Sequence, residues 1–493
     1  MPYDFDILVI GGGAAGLTAA GVSATLGAKT ALVEAHRLGG DCTWTGCVPS
    51  KTLLKAAKVA HAVRTADRFG LRAGMPSFDL GEVMRHVHAI QNRIYEHVDA
   101  PPILESLGVK VIFARAKFLD RRRLELTTNE GTRSEISSRY VIVAAGSQPA
   151  VPPIEGLAEA GYLTNETVFS LMRLPSSLIV AGAGAVGVEM AQAFRRLGSE
   201  VTVLDFENRI LPRDDPELSA QLRQALEAEG IRFLLESTVK KVEKTGSGAR
   251  VLAENPSGSR VTAEGEALLL SLGRRASVEP LDLKAAGVEF DRAGIRVDNH
   301  CRTSAKNIFA CGDVTGGYQF THMAEHMAKV AVTNALLHLP VSVDSKHVTW
   351  CTFTDPELAH LGASEEELRK NGARYEVYRF PFSRLDRAVT ENETVGLVKV
   401  LAKSFSGKIL GASILGANAG EMIGEYALAM RNGVTLRQIA DTIHPYPTYG
   451  LGNRRAADLW YIRKQSPTLV RWVQRIFGYR GSVLSASDLE NVV

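Results

Sequence analysis

The chain has 493 residues, 45% hydrophobic and 23% charged, which excludes a disordered polymer and leaves room for about three domains. Lys and Arg number 57 against 54 Asp and Glu, so the net charge of +3 offers no global argument for nucleic acid. Five cysteines are too few for a disulfide scaffold of this length, so a close pair is read as chemical.

In chain order, Met1–Asp6 lacks the basic region of a secretory signal, and no apolar run nears the roughly 18 residues of a membrane span. A cytoplasmic chain with reduced thiols is expected. Ile7–Ile10 is an apolar strand running into Gly11, Gly13 and Gly16, spaced G-x-G-x-x-G ahead of a small-residue helix. The next strand ends in Glu34, 23 residues after Gly11. The pattern recurs further on. Leu178–Ala181 runs into Gly182, Gly184 and Gly187, and the following strand ends in Asp205, again 23 residues after the first glycine. One such motif is weak evidence, but two with strand, helix and acid in place predict two dinucleotide sites. The pyrophosphate would rest on the bare N–H groups of each helix N-terminus, and the acid would take ribose hydroxyls.

Between the two dinucleotide motifs, Gly39–Lys51 carries Cys42 and Cys47. Five residues of regular helix rise about 7.5 Å, beyond the ~7 Å Cα limit of a disulfide. The pair can therefore bond only if the chain turns between them, which Gly46 makes easy. A helix beginning near Cys47 would lower that thiol's pKa, and Lys51 would add to the effect. A zinc half-site would need two further ligands, and no second close Cys pair is present. Two buried structural thiols are the remaining alternative.

Tyr140–Gly146 and Asn307–Asp313 read as buried strands ending in glycine, and the second also ends in a carboxylate. His322–His326 fits a short zinc-protease pattern but follows Gly312 and Asp313 so closely that it reads as part of a cofactor wall, with no metal expected. After about residue 347 alternating strands such as Val395–Val400 and Ile409–Ile414 precede helical stretches, which suggests an α+β domain. Beyond residue 464, Leu469, Trp472 and Ile476 alternate with Arg471 and Arg475 at helical spacing. That stretch is expected to pack on its own domain or a partner subunit, with weak membrane-surface contact as the alternative.

Two dinucleotide motifs and a dithiol together resemble the class I flavoprotein disulfide reductases, among them mercuric reductase and dihydrolipoamide dehydrogenase. The resemblance covers residues 4 to about 460. It implies an α/β fold with two Rossmann-like dinucleotide-binding domains and an α+β C-terminal dimerisation domain. The layout would be an FAD domain at 1–150 and 276–346, a nucleotide domain at 151–275, a dimerisation domain at 347–464 and an extension at 465–493. FAD would be held by Gly11, Gly13, Gly16, Glu34, Gly146, Gly312 and Asp313. NAD(P)H would be held by Gly182, Gly184, Gly187 and Asp205, with NADH favoured because Asp205 repels a 2′-phosphate. Cys47 would face the flavin and Cys42 the substrate, with Lys51 and Glu189 as an ion pair beside them.

The chain departs from the resembled pattern at the family's acid–base histidine, where it has Tyr446. The position of that histidine's glutamate partner holds Leu451. A tyrosine is a poor base near neutral pH. Mercuric reductase resembles this stretch better, but the C-terminal Cys pair of that enzyme has no counterpart here. His444 is the candidate substitute base. The expected function is transfer of electrons from NAD(P)H through FAD and Cys42–Cys47 to a small thiol-reactive acceptor, in a homodimer. The alternatives are dihydrolipoamide dehydrogenase and a flavin NADH oxidase or quinone reductase with sensory thiols.

Overall fold

The computed structural model describes residues 3–485, 488 and 489, which fall into two compact units. The first comprises residues up to 206 together with 236–344, and the second comprises 207–235 with the rest of the chain from 345.

The first unit begins with strand β1 (Phe5–Ile10), helix α1 (Ala14–Thr25) and strand β2 (Thr30–Glu34). Two helices follow, α2 (Gly40–Trp44) and α3 (Cys47–Arg64), and then α4 (Leu80–Ile94). Strands β3 (Lys110–Phe113), β4 (Arg115–Phe118), β5 (Arg123–Thr127) and β6 (Arg133–Val143) complete one sheet in the order β3-β2-β1-β6-β5-β4. Its central strands are parallel, with Ile7 beside Thr30 on one flank and Tyr140 on the other. Such strands are covered on both faces, so they read as continuous apolar runs rather than alternating ones.

The same topology recurs with β7 (Ser177–Ala181), α5 (Ala185–Leu197), β8 (Glu200–Leu204) and β9 (Ala267–Leu270), where β8, β7 and β9 lie parallel in that order. Strand β10 (Ile308–Ala310) returns to pair with β6, and helix α6 (Thr321–Leu336) follows it. The alanines of α1 and α6, including Ala15, Ala19, Ala328 and Ala331, let both helices sit close over Ile7, Val9 and Leu32.

In the second unit, β11 (Thr349–Thr352), β12 (Glu357–Gly362), β13 (Glu376–Pro381), β14 (Leu397–Ala402) and β15 (Ile409–Gly416) form an antiparallel sheet in the order β11-β12-β15-β14-β13. Helices α7 (Ala419–Arg431) and α8 (Leu451–Lys464) cover it, burying Tyr378, Phe380, Val400, Ile423, Tyr426 and Leu459. Helix α9 (Pro467–Phe477) leaves Leu469, Trp472 and Ile476 exposed. Residues 207–235 stand in this unit, although the sequence reads them as part of a nucleotide-binding stretch.

Candidate functional site

Each glycine-rich turn divides its labour in the same way. A Cβ on Gly11 would lie 2.3 Å from the Ala144 carbonyl oxygen, and one on Gly16 would lie 1.7 Å from that of Gly11. In the second turn the corresponding collisions are Gly182 with Ser271 O at 2.3 Å and Gly187 with Gly182 O at 1.9 Å. These four glycines are required by the protein's own packing. The middle glycines differ, because a Cβ on Gly13 meets nothing closer than 3.8 Å and one on Gly184 meets nothing within 4 Å. That open space lies over helix N-termini with no side-chain cap and no acid in the first turn. A diphosphate needs such a cradle of free N–H groups, so the residues present fit a dinucleotide at each turn.

The acids brace the turns. Glu34 accepts the Gly12 N–H at 2.6 Å and the His36 N–H at 2.7 Å. Asp205, buried at the end of β8, accepts the equivalent Ala183 N–H. Asp313 follows Gly312 and takes a 2.6 Å hydrogen bond from Ser147, next to Gly146. Gly146 has φ +69° and open space beside its α-carbon.

The cysteine pair is shaped by Gly46. Helix α2 stops at Trp44, and a Cβ on Gly46 would lie 2.8 Å from the Asp41 carbonyl oxygen, so only glycine allows the chain to turn back here. Helix α3 then starts at Cys47 with no side-chain cap. Both cysteines are free thiols. The hydrogen bond from Cys42 pulls Cys47 down to about 6, against burial and with help from Thr321 and Lys51. The Thr321 hydroxyl, at the start of α6, is 3.5 Å from Cys47 Sγ. Cys42 is displaced upward by the same bond and by burial. Helices α3 and α5 pack together, which sets Lys51 Nζ 2.8 Å from Glu189 Oε2, a carboxylate on a residue 3% exposed. The candidate residues on α2, α3, α5 and the two turns thus all lie in one unit.

A family model for pyridine nucleotide-disulphide oxidoreductases matches residues 5–328, and that family's dimerisation domain matches 348–454. The chain belongs to this family. A mercuric reductase of Lysinibacillus sphaericus is 33% identical over 467 residues, spanning 93% of this chain and 84% of that protein. A dihydrolipoyl dehydrogenase of Bacillus subtilis is 32% identical over 458 residues, spanning 91% and 96%. The structure of a Cu(II) complex of the HOCl-induced flavoprotein disulfide reductase RclA from Escherichia coli superposes with a TM-score of 0.82 at 28% identity, covering 93% of this chain and all of that one. This pyridine nucleotide-disulphide oxidoreductase is accordingly an enzyme, of a family that uses FAD and NAD(P)H.

In the oxidoreductase's second unit, His444 and Tyr446 part company. His444 directs Nε2 to Glu425 Oε1 at 2.8 Å and Nδ1 to the Thr442 carbonyl at 3.0 Å. Both ring nitrogens are thus turned to groups of the protein itself. Glu425 also accepts from Asn453 at 2.8 Å. A His–carboxylate pair is therefore present, but its carboxylate comes from α7 and not from position 451. Tyr446 is 68% exposed, and a hydrogen bond to Asp386 raises its pKa, so still less of it is ionised near neutral pH. Sequence reasoning missed Glu425 because no spacing rule links it to a histidine 19 residues away. Arg209 donates to the Pro212 carbonyl at 2.8 Å within its own loop. Among the described residues no cluster of three or more His, Cys, Asp or Glu could hold a metal. No described helix is long and apolar enough to cross a membrane.

Proposed function

We propose that this oxidoreductase uses NADH and carries electrons through Cys42–Cys47 to a thiol-reactive acceptor, a disulfide or a soft metal ion. Bound FAD would supply the transfer of two electrons from the nicotinamide to the cysteine pair. Gly11, Gly13, Gly16, Glu34, Gly146, Gly312 and Asp313 would hold it, and Gly182, Gly184, Gly187 and Asp205 would hold the dinucleotide. The buried Asp205 carboxylate favours ribose hydroxyls over a 2′-phosphate, which supports NADH.

The observation that carries the proposal is the turn at Gly46, which brings Cys42 and Cys47 together with helix α3 opening at Cys47 and no side-chain cap over its N–H groups. Cys47, lowered by the Cys42 hydrogen bond with help from Thr321 and Lys51, would take the flavin-facing position and Cys42 the substrate-facing one. Lys51 and Glu189 keep a fixed charge pair beside them. The metal-ion half of the acceptor class is supported by the mercuric reductases among the relatives and by the copper complex of RclA. The disulfide half is supported by the dihydrolipoyl dehydrogenases.

Anaerobic NADH titration of the holoenzyme should raise a long-wavelength thiolate–flavin band. Cys42→Ser should abolish reduction of Hg(II), Cu(II) and disulfides by at least 10³-fold, yet leave NADH oxidation by quinone unaffected. Wild-type turnover of every acceptor in Cys42→Ser would instead mean a quinone reductase or NADH oxidase with sensory thiols. Strong Cys42-dependent lipoamide activity would mean a dihydrolipoamide dehydrogenase.

The domain layout expected above, with FAD at 1–150 and 276–346 and the nucleotide at 151–275, is part of this reading. So is a homodimer, supported by the dimerisation-domain match and measurable by light scattering. The apolar stripe of α9 would then pack on a partner subunit. Pelleting with anionic vesicles that depends on residues 465–493 would point instead to a membrane surface.

A further inference from the structure

Arg274 joins the redox turn to the Gly312–Asp313 turn. The short strands Ser147–Pro149 and Arg274–Ala276 pair antiparallel, with Arg274 opposite Pro149. The Arg274 side chain, 23% exposed, lies along this pairing and grips Ser147 twice. Its Nε donates to Ser147 Oγ at 2.6 Å, and its Nη2 donates to the Ser147 carbonyl at 2.9 Å. The Ser147 hydroxyl in turn donates to Asp313 Oδ2 at 2.6 Å, and Arg274 Nε lies 3.7 Å from the same oxygen.

Nη2 also donates to Asp41 Oδ2. Asp41 precedes Cys42, and its Oδ1 accepts the Thr45 hydroxyl at 3.0 Å. One carboxylate thus spans the segment from Asp41 to Thr45, with Cys42 inside it. The backbone on either side is equally confined. A Cβ on Gly40 would lie 2.7 Å from Gly13 Cα, and one on Gly46 would lie 2.8 Å from the Asp41 carbonyl oxygen. The guanidinium therefore meets oxygens of Asp41, Ser147 and Asp313, which belong to three separate segments. A planar fork holds such partners at fixed angles, which a lysine ammonium does not.

We propose that Arg274 is a positioning residue that sets the Cys42–Cys47 turn against the Gly312–Asp313 turn, acting through Asp41 and Ser147. The proposal rests on the reading of Cys42–Cys47 as the redox pair and of Asp313 as a flavin residue. Electron transfer to a thiol pair depends on near-contact geometry, and a misplacement of about 1 Å can cost roughly 100-fold. Arg274 bonds to neither thiol, so its loss should spare electron entry and slow the passage to the cysteines. Arg274 and Asp41 act as one unit here. Losing either breaks the same link, so losing both should cost no more than losing one.

The test mixes oxidised holoenzyme with NADH anaerobically in stopped flow and follows two signals. Flavin bleaching reports electron entry, and the long-wavelength thiolate–flavin band reports arrival at the cysteines. In Arg274→Met and in Asp41→Ala the band should rise about 10-fold more slowly, with bleaching at the wild-type rate. The double variant should also be about 10-fold slower, where independent effects would multiply to about 100-fold. Amide hydrogen exchange over residues 41–47 should quicken in all three holoenzymes, while that of β1 stays the same. A wild-type band rate in either single variant, equal slowing of both signals, multiplied effects in the double variant, or unchanged exchange overturns the assignment. Arg274→Lys keeps the charge but not the fork, and should slow the band by about 3-fold or more. If Arg274→Met fails to fold or to keep FAD, Arg274→Lys replaces it. The proposal then fails if Arg274→Lys matches wild type, or slows the band further in an Asp41→Ala background. A wild-type enzyme that never forms the band refutes the redox pair itself. A band that forms at a rate indifferent to Arg274 and Asp41 refutes only the positioning role.

Discussion

Lys51 and Lys399 both meet carboxylates, and the settings are opposite. Lys51 is partly exposed and reaches one buried glutamate, Glu189, on a neighbouring helix. Lys399, on β14, is buried at 3% exposure and meets three acids, Asp215 at 2.7 Å, Glu217 at 3.0 Å and Glu365 at 3.0 Å. Arg379 adds a second cation on Glu217 at 3.0 Å. The Lys399 cluster is more elaborate, yet the described structure places no reactive thiol beside it. The Lys51 pair is plain, but its charge acts on Cys47. Density of buried charge does not mark chemistry here. A nucleophile within range of the charge does, and the Lys399 cluster is best understood as the tie between the sheet and the 215–217 segment.

The largest expected effect follows from that difference. Lys399→Met should destabilise the second unit by about 3–5 kcal/mol, because it strands the buried Asp215 carboxylate without its cation. Burial opposes the charges of Glu217 and Glu365, but Lys399, with Arg379 or Arg369, holds both below the usual carboxylate range. Groups depressed in this way stabilise the fold above the unfolded carboxylate pKa, and that contribution is lost as pH falls through the folded values. Urea unfolding should thus show wild-type stability declining below about pH 4, with a shallower slope in Lys399→Met. Equal slopes and equal midpoints would remove the cluster from any account of stability.

A smaller effect is expected at the other lysine. Lys51→Ala should cost about 1–3 kcal/mol in the same assay, since Glu189 is buried but Lys51 is partly in water. It should also raise Cys47 above its value of about 6, though by less than loss of the Cys42 hydrogen bond would. Thiolate absorbance against pH measures this directly. A Cys47 midpoint that ignores Lys51 would make the pair as structural as the one on β14.

The two sites also differ in how far the sequence reveals them. Cys42, Gly46, Cys47 and Lys51 fall within ten residues, so local geometry constrains them, and Gly46 breaks the helix where the disulfide limit requires a turn. The glycine-rich turns are equally local, because each acid braces an amide of the loop on the neighbouring strand. Lys399 instead stands in a run that reads as an ordinary alternating strand, and its partners are 34 to 184 residues away. Glu425 escapes notice for the same reason. Buried polar contacts between distant segments obey no spacing rule, and neither does the assignment of residues 207–235 to the second unit.

The smallest effect separates a charge in water from both lysine sites. The Tyr446 hydroxyl pairs with Asp386 in full contact with solvent, so its removal should leave stability within about 0.5 kcal/mol. The catalytic expectation is more telling. A hydroxyl that only donates a hydrogen bond is worth about 0.5–1.5 kcal/mol, so Tyr446→Phe should lower acceptor reduction by roughly 2–10-fold with no movement of the pH profile. A group that shuttles the proton would cost about 100-fold or more and would shift the profile. A loss of that size would put the proton chemistry at position 446. A loss within the smaller range, with an unmoved profile, would mean that an electron path on the family's plan can work while its proton path has left position 446.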